Sequence, residues 1–423
     1  MLNEEGAIIP EQFRMVEMFD RIDCIGKAVL GMTTQCAQCH SHKYDPISMS
    51  EYYGLFAFLN NSYEPKSWVY SDEQRISIEK IENKVEEIEN GIRKQSPDWE
   101  AGVASFIQTT LDSMPRWEPL RFHDMNSVSG LNHPVHESDD DSILMLGHTS
   151  ADVYLIAKPT FLDPITGLQL EVLTHHDLPF RGPGRNSVGG WAVRELEVFV
   201  RPNSEGDWTK QSLTNATADF SEPDQKKDDG KKATGPVDYL VDGNDETQWK
   251  ADRGIGRRNA ASTAVVQFTE PLQLTETSEI KVVMRMSDMI GCCRISITAS
   301  ESPTAPNVAH DATLAMQHDQ AERNQLQNSA IFTAWRLQNP QFNQANKEID
   351  ELLRGYPKAR TSVMHLRERE GSKQRPTHRL DRGNWDQPQE EVAPNVPSFL
   401  HPMASDVDEP DRLRFAKWLT DQR

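Results

Sequence analysis

Residues 78–92, IEKIENKVEEIENGI, place Ile78, Ile81, Val85, Ile88 and Ile92 in steps of 3, 4, 3 and 4 between charged flanks. That period is a coiled-coil seam on one face of a helix. A polar helix of this length is marginal alone, so the seam demands a partner. Residues 342–356, FNQANKEIDELLRGY, repeat the spacing with Phe342, Ala345, Ile349, Leu352 and Tyr356. Between the two seams lie strand-like runs such as SILML, DVYLIAK, GLQLEVL, WAVRELEVFV, STAVVQF, EIKVVMRM and CRISITAS, separated by Gly, Pro, Asn and Asp clusters. They read as an all-β sandwich over 116–302, with a charged loop, SEPDQKKDDGKKATG, inside it.

The fold class that follows is α+β and multidomain, a β-sandwich inserted between two long helices with small helical segments at both ends. Its segments are 1–65, a coiled-coil-like helical arm over 66–115, the sandwich over 116–302, the second helix of the arm over 303–356, and 357–423. The spacing predicts that the seams pair antiparallel over about 22 Å of helix. The arm would carry the sandwich at its far end, well clear of a base. There the segments 1–65 and 357–423 would meet as one split domain.

The chain has 423 residues, 26% charged, and a net charge of −20. Such acidity argues against general binding of a nucleic-acid backbone, which needs a dominant basic surface. No apolar run approaches the ~20 residues of a membrane span, and MLNEEGAIIPEQ lacks the basic and apolar regions of a signal peptide. The abrupt start, and an end, RFAKWLTDQR, that stops inside a helical pattern, read as those of a piece of a longer protein.

Five cysteines are too few for a disulfide scaffold. Cys292 and Cys293 are adjacent and Cys24 has no evident partner, so the chemistry concentrates in GMTTQCAQCHSHKYDPIS, 31–48. Cys36-Ala37-Gln38-Cys39-His40 is the C-x-x-C-H pattern of c-type haem attachment. Two thiols one turn apart can each add to a vinyl group of the porphyrin edge, and His40 then falls under the iron. Three other readings compete. A zinc site would use Cys36, Cys39, His40 and His42 with Asp45 nearby. A redox dithiol usually accompanies a βαβ pattern, which is missing here. The plainest reading is two buried thiols and a surface histidine. Met32 and Met49 are near in sequence, but nearness does not make either a sixth iron ligand.

Elsewhere the signals are weaker. Gly182-Pro183-Gly184-Arg185 reads as a turn that shapes a β-connection or borders a ligand face. His175-His176-Asp177 reads as loop polarity, because neighbours on a strand point to opposite faces. The basic run Arg360, Arg367, Arg369, Lys373, Arg375, Arg379 and Arg382 reads as a solvated face, with haem propionates as the other reading.

Residues 8–61 resemble the C-terminal part of the planctomycete cytochrome-c-type domain. The likeness is carried by Pro10-Glu11-Gln12, Asp20-Arg21, the C-x-x-C-H motif followed by His42-Lys43-Tyr44-Asp45-Pro46, Tyr52-Tyr53 and Phe56 to Asn60. ARTSVMHLRE, RPTHRLDRGNWDQPQEEVAPNVPSFL and DRLRFAKWLTDQR resemble the opening of the planctomycete-specific domain that follows it, cut short here. LPFRGPGRNSVGGWAVRELEVFV and YLVDGNDETQWKA are similar to the family's β-rich domain. VDGNDETQW further resembles a turn of galactose-binding-like, discoidin-type (jelly-roll) sandwiches. That last likeness implies a calcium loop with Asp242, Asn244 and Thr247 as ligands over Trp249, against a plain Asp-Gly turn.

The resemblance implies an extracytoplasmic protein, periplasmic or secreted, whose export signal lies outside this sequence. It would carry covalent haem c on Cys36, Cys39 and His40, and transfer electrons to an unnamed redox partner. By the galactose-binding-like likeness its sandwich would bind polysaccharide or another cell-envelope component. Two alternatives remain: an interaction scaffold with a zinc-stabilised loop, or an accessory subunit of a carbohydrate-processing enzyme.

Overall fold

A computed structural model describes residues 9–127, 132–137, 140–147, 152–160, 164–225, 233–369, 374–403 and 411–421. The centre of the charged insert, 226–232, and Lys373 of the basic run lie outside the described residues. Eight α-helices occur among them: α1 Pro10–Ile25, α2 Met49–Asn60, α3 Asp72–Gln95, α4 Trp99–Ser113, α5 His310–Gln317, α6 Gln325–Gln338, α7 Asn343–Arg354 and α8 Asp411–Leu419. The protein is α+β, with a β-sandwich in the middle of the chain and helices toward both ends. The chain forms two compact units, residues 1–65 with 365–423, and residues 66–364.

The first unit is assembled from both ends of the sequence. Pro10 starts α1, where a missing N–H costs nothing. A capping box starts α2, with Glu51 N–H donating to Ser48 Oγ and Ser48 N–H to the Glu51 carboxylate. Met18, Phe19 and Ile22 of α1 and Tyr52, Tyr53, Phe56 and Phe58 of α2 share one apolar core with Leu380, Val396, Phe415 and Trp418. Phe58 and Phe415 stack with centroids 4.7 Å apart. The Asn pair that ends α2 joins the two segments. Asn60 donates to the Pro376 carbonyl and Thr377 Oγ1, and Asn61 to the Arg369 carbonyl. Strand Ser62–Tyr63 pairs antiparallel with Arg367–Glu368.

The second unit holds the sandwich, two sheets of seven strands each among the described residues. In one, the order is Ala233–Gly235, Thr247–Trp249, Ala192–Arg201, Glu279–Asp288, Asp152–Ala157 and Phe122–Ser127, with Thr209–Gln211 also on Ala192–Arg201. In the other it is Leu213–Ala218, Ser262–Leu272, Ile165–Val172, Cys292–Thr298, Ile143–Gly147 and Asn132–His136, with Glu118–Pro119 also on Cys292–Thr298. Alternate residues such as Leu168, Leu170, Val198, Val266, Val282, Ile295 and Ile297 fill the space between the sheets. Residues 182–185 are a β-connection: Gly184 bridges Ile290, and the Pro183 carbonyl accepts from Gly291 N–H.

Helix α3 begins with the Ser71–Gln74 capping box and carries the 78–92 seam, half-buried along its length and fully buried at Ile92. It packs against α7, whose Ile349 is buried. The pairing is antiparallel, because Gln74 donates to the Lys358 carbonyl while Arg336 reaches Glu89. Two expectations fail here. The arm does not hold the sandwich clear: α7 packs on the Ile255–Arg257 turn, with Arg257 2.6 Å from Asp350, and Trp68 stacks on Phe180 at 3.7 Å. Residues 303–356 are three helices rather than one, broken at the Arg323–Asn324 and Asn339–Pro340 caps. Pro97 separates α3 from α4, since the residue before proline is pushed out of the helical region.

Candidate functional site

The loop after α1 is shaped before it reaches the cysteines. Helix α1 runs into a π turn, Gly26–Leu30, which Gly31 ends at φ 69°. A Cβ on Gly26 would lie 2.3 Å from Thr34 Oγ1, so only glycine lets the chain fold back this closely. Buried Thr34 then donates to the Ile22 carbonyl, opening the short 3₁₀ turn Thr34–Gln38. Ala37 turns inward and is fully buried, and Tyr53 Oη donates to the Gln38 carbonyl. Anchored by those two neighbours, Cys36 and Cys39 are left as free, exposed thiols. The buried-thiol reading of the pair is therefore corrected; the buried thiols are Cys292 and Cys293, on a sandwich strand.

His40 is exposed, and its Nδ1 lies 2.8 Å from the Ser41 carbonyl oxygen. A carbonyl only accepts, so Nδ1 carries the proton and Nε2 presents its lone pair to solvent. That is the tautomer a metal-ligating imidazole adopts when a carbonyl orients it.

His42 is organised the opposite way. Its Nδ1 accepts the backbone N–H groups of Tyr44 (3.1 Å) and Asp45 (2.7 Å), so the proton sits on Nε2. Nε2 in turn faces Thr33 Oγ1 at 3.0 Å and Asp45 at 3.5 Å. Both nitrogens are spent on folding the loop. Among the described residues no group of three or more Cys, His, Asp or Glu side chains is placed to hold a metal ion. The set Cys36, Cys39, His40 and His42 is not drawn together. Met32 and Met49 pack against the core, and Met49 Sδ lies 3.8 Å from Arg379 Nη1.

The distant segment closes the site. Arg382 (φ 49°) and Gly383 (φ 74°) form a left-handed kink against Cys39, where a Cβ on Gly383 would come within 2.9 Å of Sγ. Ser398 donates its N–H and hydroxyl to Glu51 at 2.8 and 2.7 Å. Burial alone would raise the Glu51 pKa, but the Ser398 and Ser48 donors outweigh it and hold the carboxyl down at about 2. Three members of the basic run are engaged, Arg375 with Glu11, Arg379 with Glu390, and Arg369 buried against the Tyr63 ring, while Arg360 and Arg367 are exposed as a solvated face would be. Arg382 remains exposed.

In the sandwich, the 242–249 turn closes on itself. Asp242 Oδ1 accepts Asn244 N–H, and Thr247 Oγ1 donates to Asp242 at 2.8 Å and lies 2.8 Å from the Asn244 carbonyl. The oxygens assigned to calcium are engaged with one another. Glu195, which sequence reasoning missed because it lies on another strand, accepts Asn244 N–H at 2.9 Å. Burial and then the neighbouring Asp242 push the Glu195 carboxyl up to about 7. Trp249 is fully buried under the turn, edge-on to Trp191 at 4.6 Å. His175 lies in a loop as expected, but it is buried rather than surface-polar, with Nδ1 accepting Asp177 N–H.

Residues 1–64 match the PSCyt2 family, described as a protein of unknown function (DUF1549). The match fits the planctomycete cytochrome-like domain that this segment resembles. No curated protein and no solved structure matches the chain. No helix among the described residues is long and apolar enough to cross a membrane.

Proposed function

We propose that the first unit is an extracytoplasmic haem-attachment module for electron transfer, with Cys36 and Cys39 as thioether donors and His40 Nε2 as iron ligand. One observation carries the reading: His40 is already held in the ligating tautomer beside two exposed thiols, while His42 is withdrawn into the loop. Haem, when bound, supplies a one-electron couple. The chain's residues do the rest: Ala37 and Tyr53 fix the turn, Ser41 orients the imidazole, and Gly383 leaves room against Cys39. Residues 357–423 would be the opening of the planctomycete-specific domain. The sandwich would dock the module on polysaccharide or another envelope component, and an accessory role beside a carbohydrate-processing enzyme would use the same docking.

Protein matured in a haem-attaching host should give a pyridine haemochrome spectrum of covalent haem c. Stoichiometric zinc with no covalent haem band would replace this reading by the zinc scaffold.

A further inference from the structure

The outer face of the second sheet is polar where a helix-covered face is expected to be apolar. On Ile165–Val172, Leu168, Leu170 and Val172 point into the core, so Gln169 and Glu171 point away from it. Their cross-strand partners match: Glu171 opposes Thr263 on one side and Arg294 on the other, and Gln169 opposes Ser296. All but Arg294 are buried. Glu171 and Arg294 form a two-point pair, Nε to Oε2 at 2.7 Å and Nη2 to Oε1 at 2.9 Å.

A cavity of about 160 Å³ lies over this array, walled also by α5 and the 114–119 segment with half-buried Trp117. His310 of α5 lines it, 3% exposed, with Nδ1 held by Thr263 Oγ1 at 2.8 Å. Its Nε2 is buried and has no hydrogen-bond partner. A buried, unpaired group of this kind in a native fold calls for an explanation.

We infer that this cavity is a binding site for a small, neutral, hydroxyl-bearing molecule, a single saccharide ring. The charges point that way. Arg294 is neutralised by Glu171, and Asp140 stands 3.8 Å from it, so no net positive charge awaits an anion. The polar groups along the wall are a mixture of donors and acceptors (Gln169 amide, Ser296 hydroxyl) beside an indole and the His310 ring, which suits groups that both donate and accept. The volume lies well below the roughly 300–1,000 Å³ of pockets for larger ligands. A ligand hydroxyl would meet the Gln169 amide and the Ser296 hydroxyl beside the His310 ring. The saccharide assignment rests on the docking role proposed for the sandwich; the site itself is separate from the haem loop.

The test uses the full chain with methyl glycosides of glucose, galactose, mannose and N-acetylglucosamine, and with sulfate and acetate as charged controls. Titration calorimetry should show saturable binding of at least one glycoside and none of the anions. With ¹⁵N-histidine labelling, the His310 ring signal, assigned from His310→Gln, should move on saturation. Gln169→Leu should weaken binding at least tenfold without changing the melting temperature. Binding of no glycoside, tighter binding of an anion, or a His310 signal that stays fixed means a water-filled space and overturns the site. Retention on insoluble polysaccharide with a fixed His310 signal removes this site and leaves the docking role standing. Loss of both removes the two together.

Discussion

Two loops in this protein carry ligand-type side chains, and they are built in opposite senses. In the 242–249 turn the carboxylate, hydroxyl and amide groups satisfy each other, so the turn is complete without an ion. In the 31–48 loop the structural work goes to Thr34, Ala37, His42 and Tyr53, which leaves Cys36, Cys39 and the Nε2 of His40 facing outward. Residue types suitable for a site become one only where folding leaves their donor atoms spare.

The sharpest way to break this contrast is at the thiols. Cys36→Ser or Cys39→Ser should remove one thioether each, and the double variant should carry no covalent haem on a denaturing gel stained for haem. His40→Ala should keep attachment and change the iron's spin state in the absorption spectrum. Covalent haem surviving in the double variant sinks the assignment.

The next effect is on stability. Phe415→Ala removes the ring stacked on Phe58 and should cost about 3–5 kcal/mol, read by denaturant unfolding of the first unit. A loss much below that would mean the C-terminal segment is not needed for the cysteine loop to be ordered.

The two loops should also answer pH with opposite slopes. Glu51, held down at about 2 against an ordinary 4.5, stabilises the first unit fully above pH 4.5, and that contribution fades as pH falls toward 2. Glu195, raised to about 7, binds a proton more tightly folded than unfolded, so stability falls as pH rises from 4.5 through 7. Melting curves of Glu51→Gln and Glu195→Gln, each against the parent chain, should lose their respective slopes. A parallel response of the two variants breaks the comparison.

The smallest expected effect is that of chelation. Because the 242–249 turn is internally satisfied, a chelator should leave the sandwich's melting temperature unchanged, whereas a drop would restore the calcium reading through linkage.

Much of this architecture is legible in the sequence because burial writes a period into it. The 78–92 seam announces its need for a partner, and runs such as EIKVVMRM and STAVVQF are strands. What is illegible depends on partners far away in the chain. LTNATA, at a sheet edge, has little apolar alternation, yet forms the strand Leu213–Ala218 by pairing with Ser262–Leu272. Asn60 and Asn61 look like a helix end, and nothing local says that they hold Arg369, Pro376 and Thr377. His40 and His42 are equal candidates by type. Only the surrounding N–H and carbonyl groups decide which one is spent.

The interruption of the first unit has a consequence for how the protein is made. Its halves are separated by the 299 residues from 66 to 364. At the ~5–20 residues per second of synthesis, roughly 17–70 s pass between the emergence of Cys39 and that of Gly383. For that interval no Gly383 presses on Cys39 and no Ser398 reaches Glu51. On a chain exported before it folds, an enzyme that modifies the thiols would meet them open, and the last segment would then bring Gly383 up to Cys39.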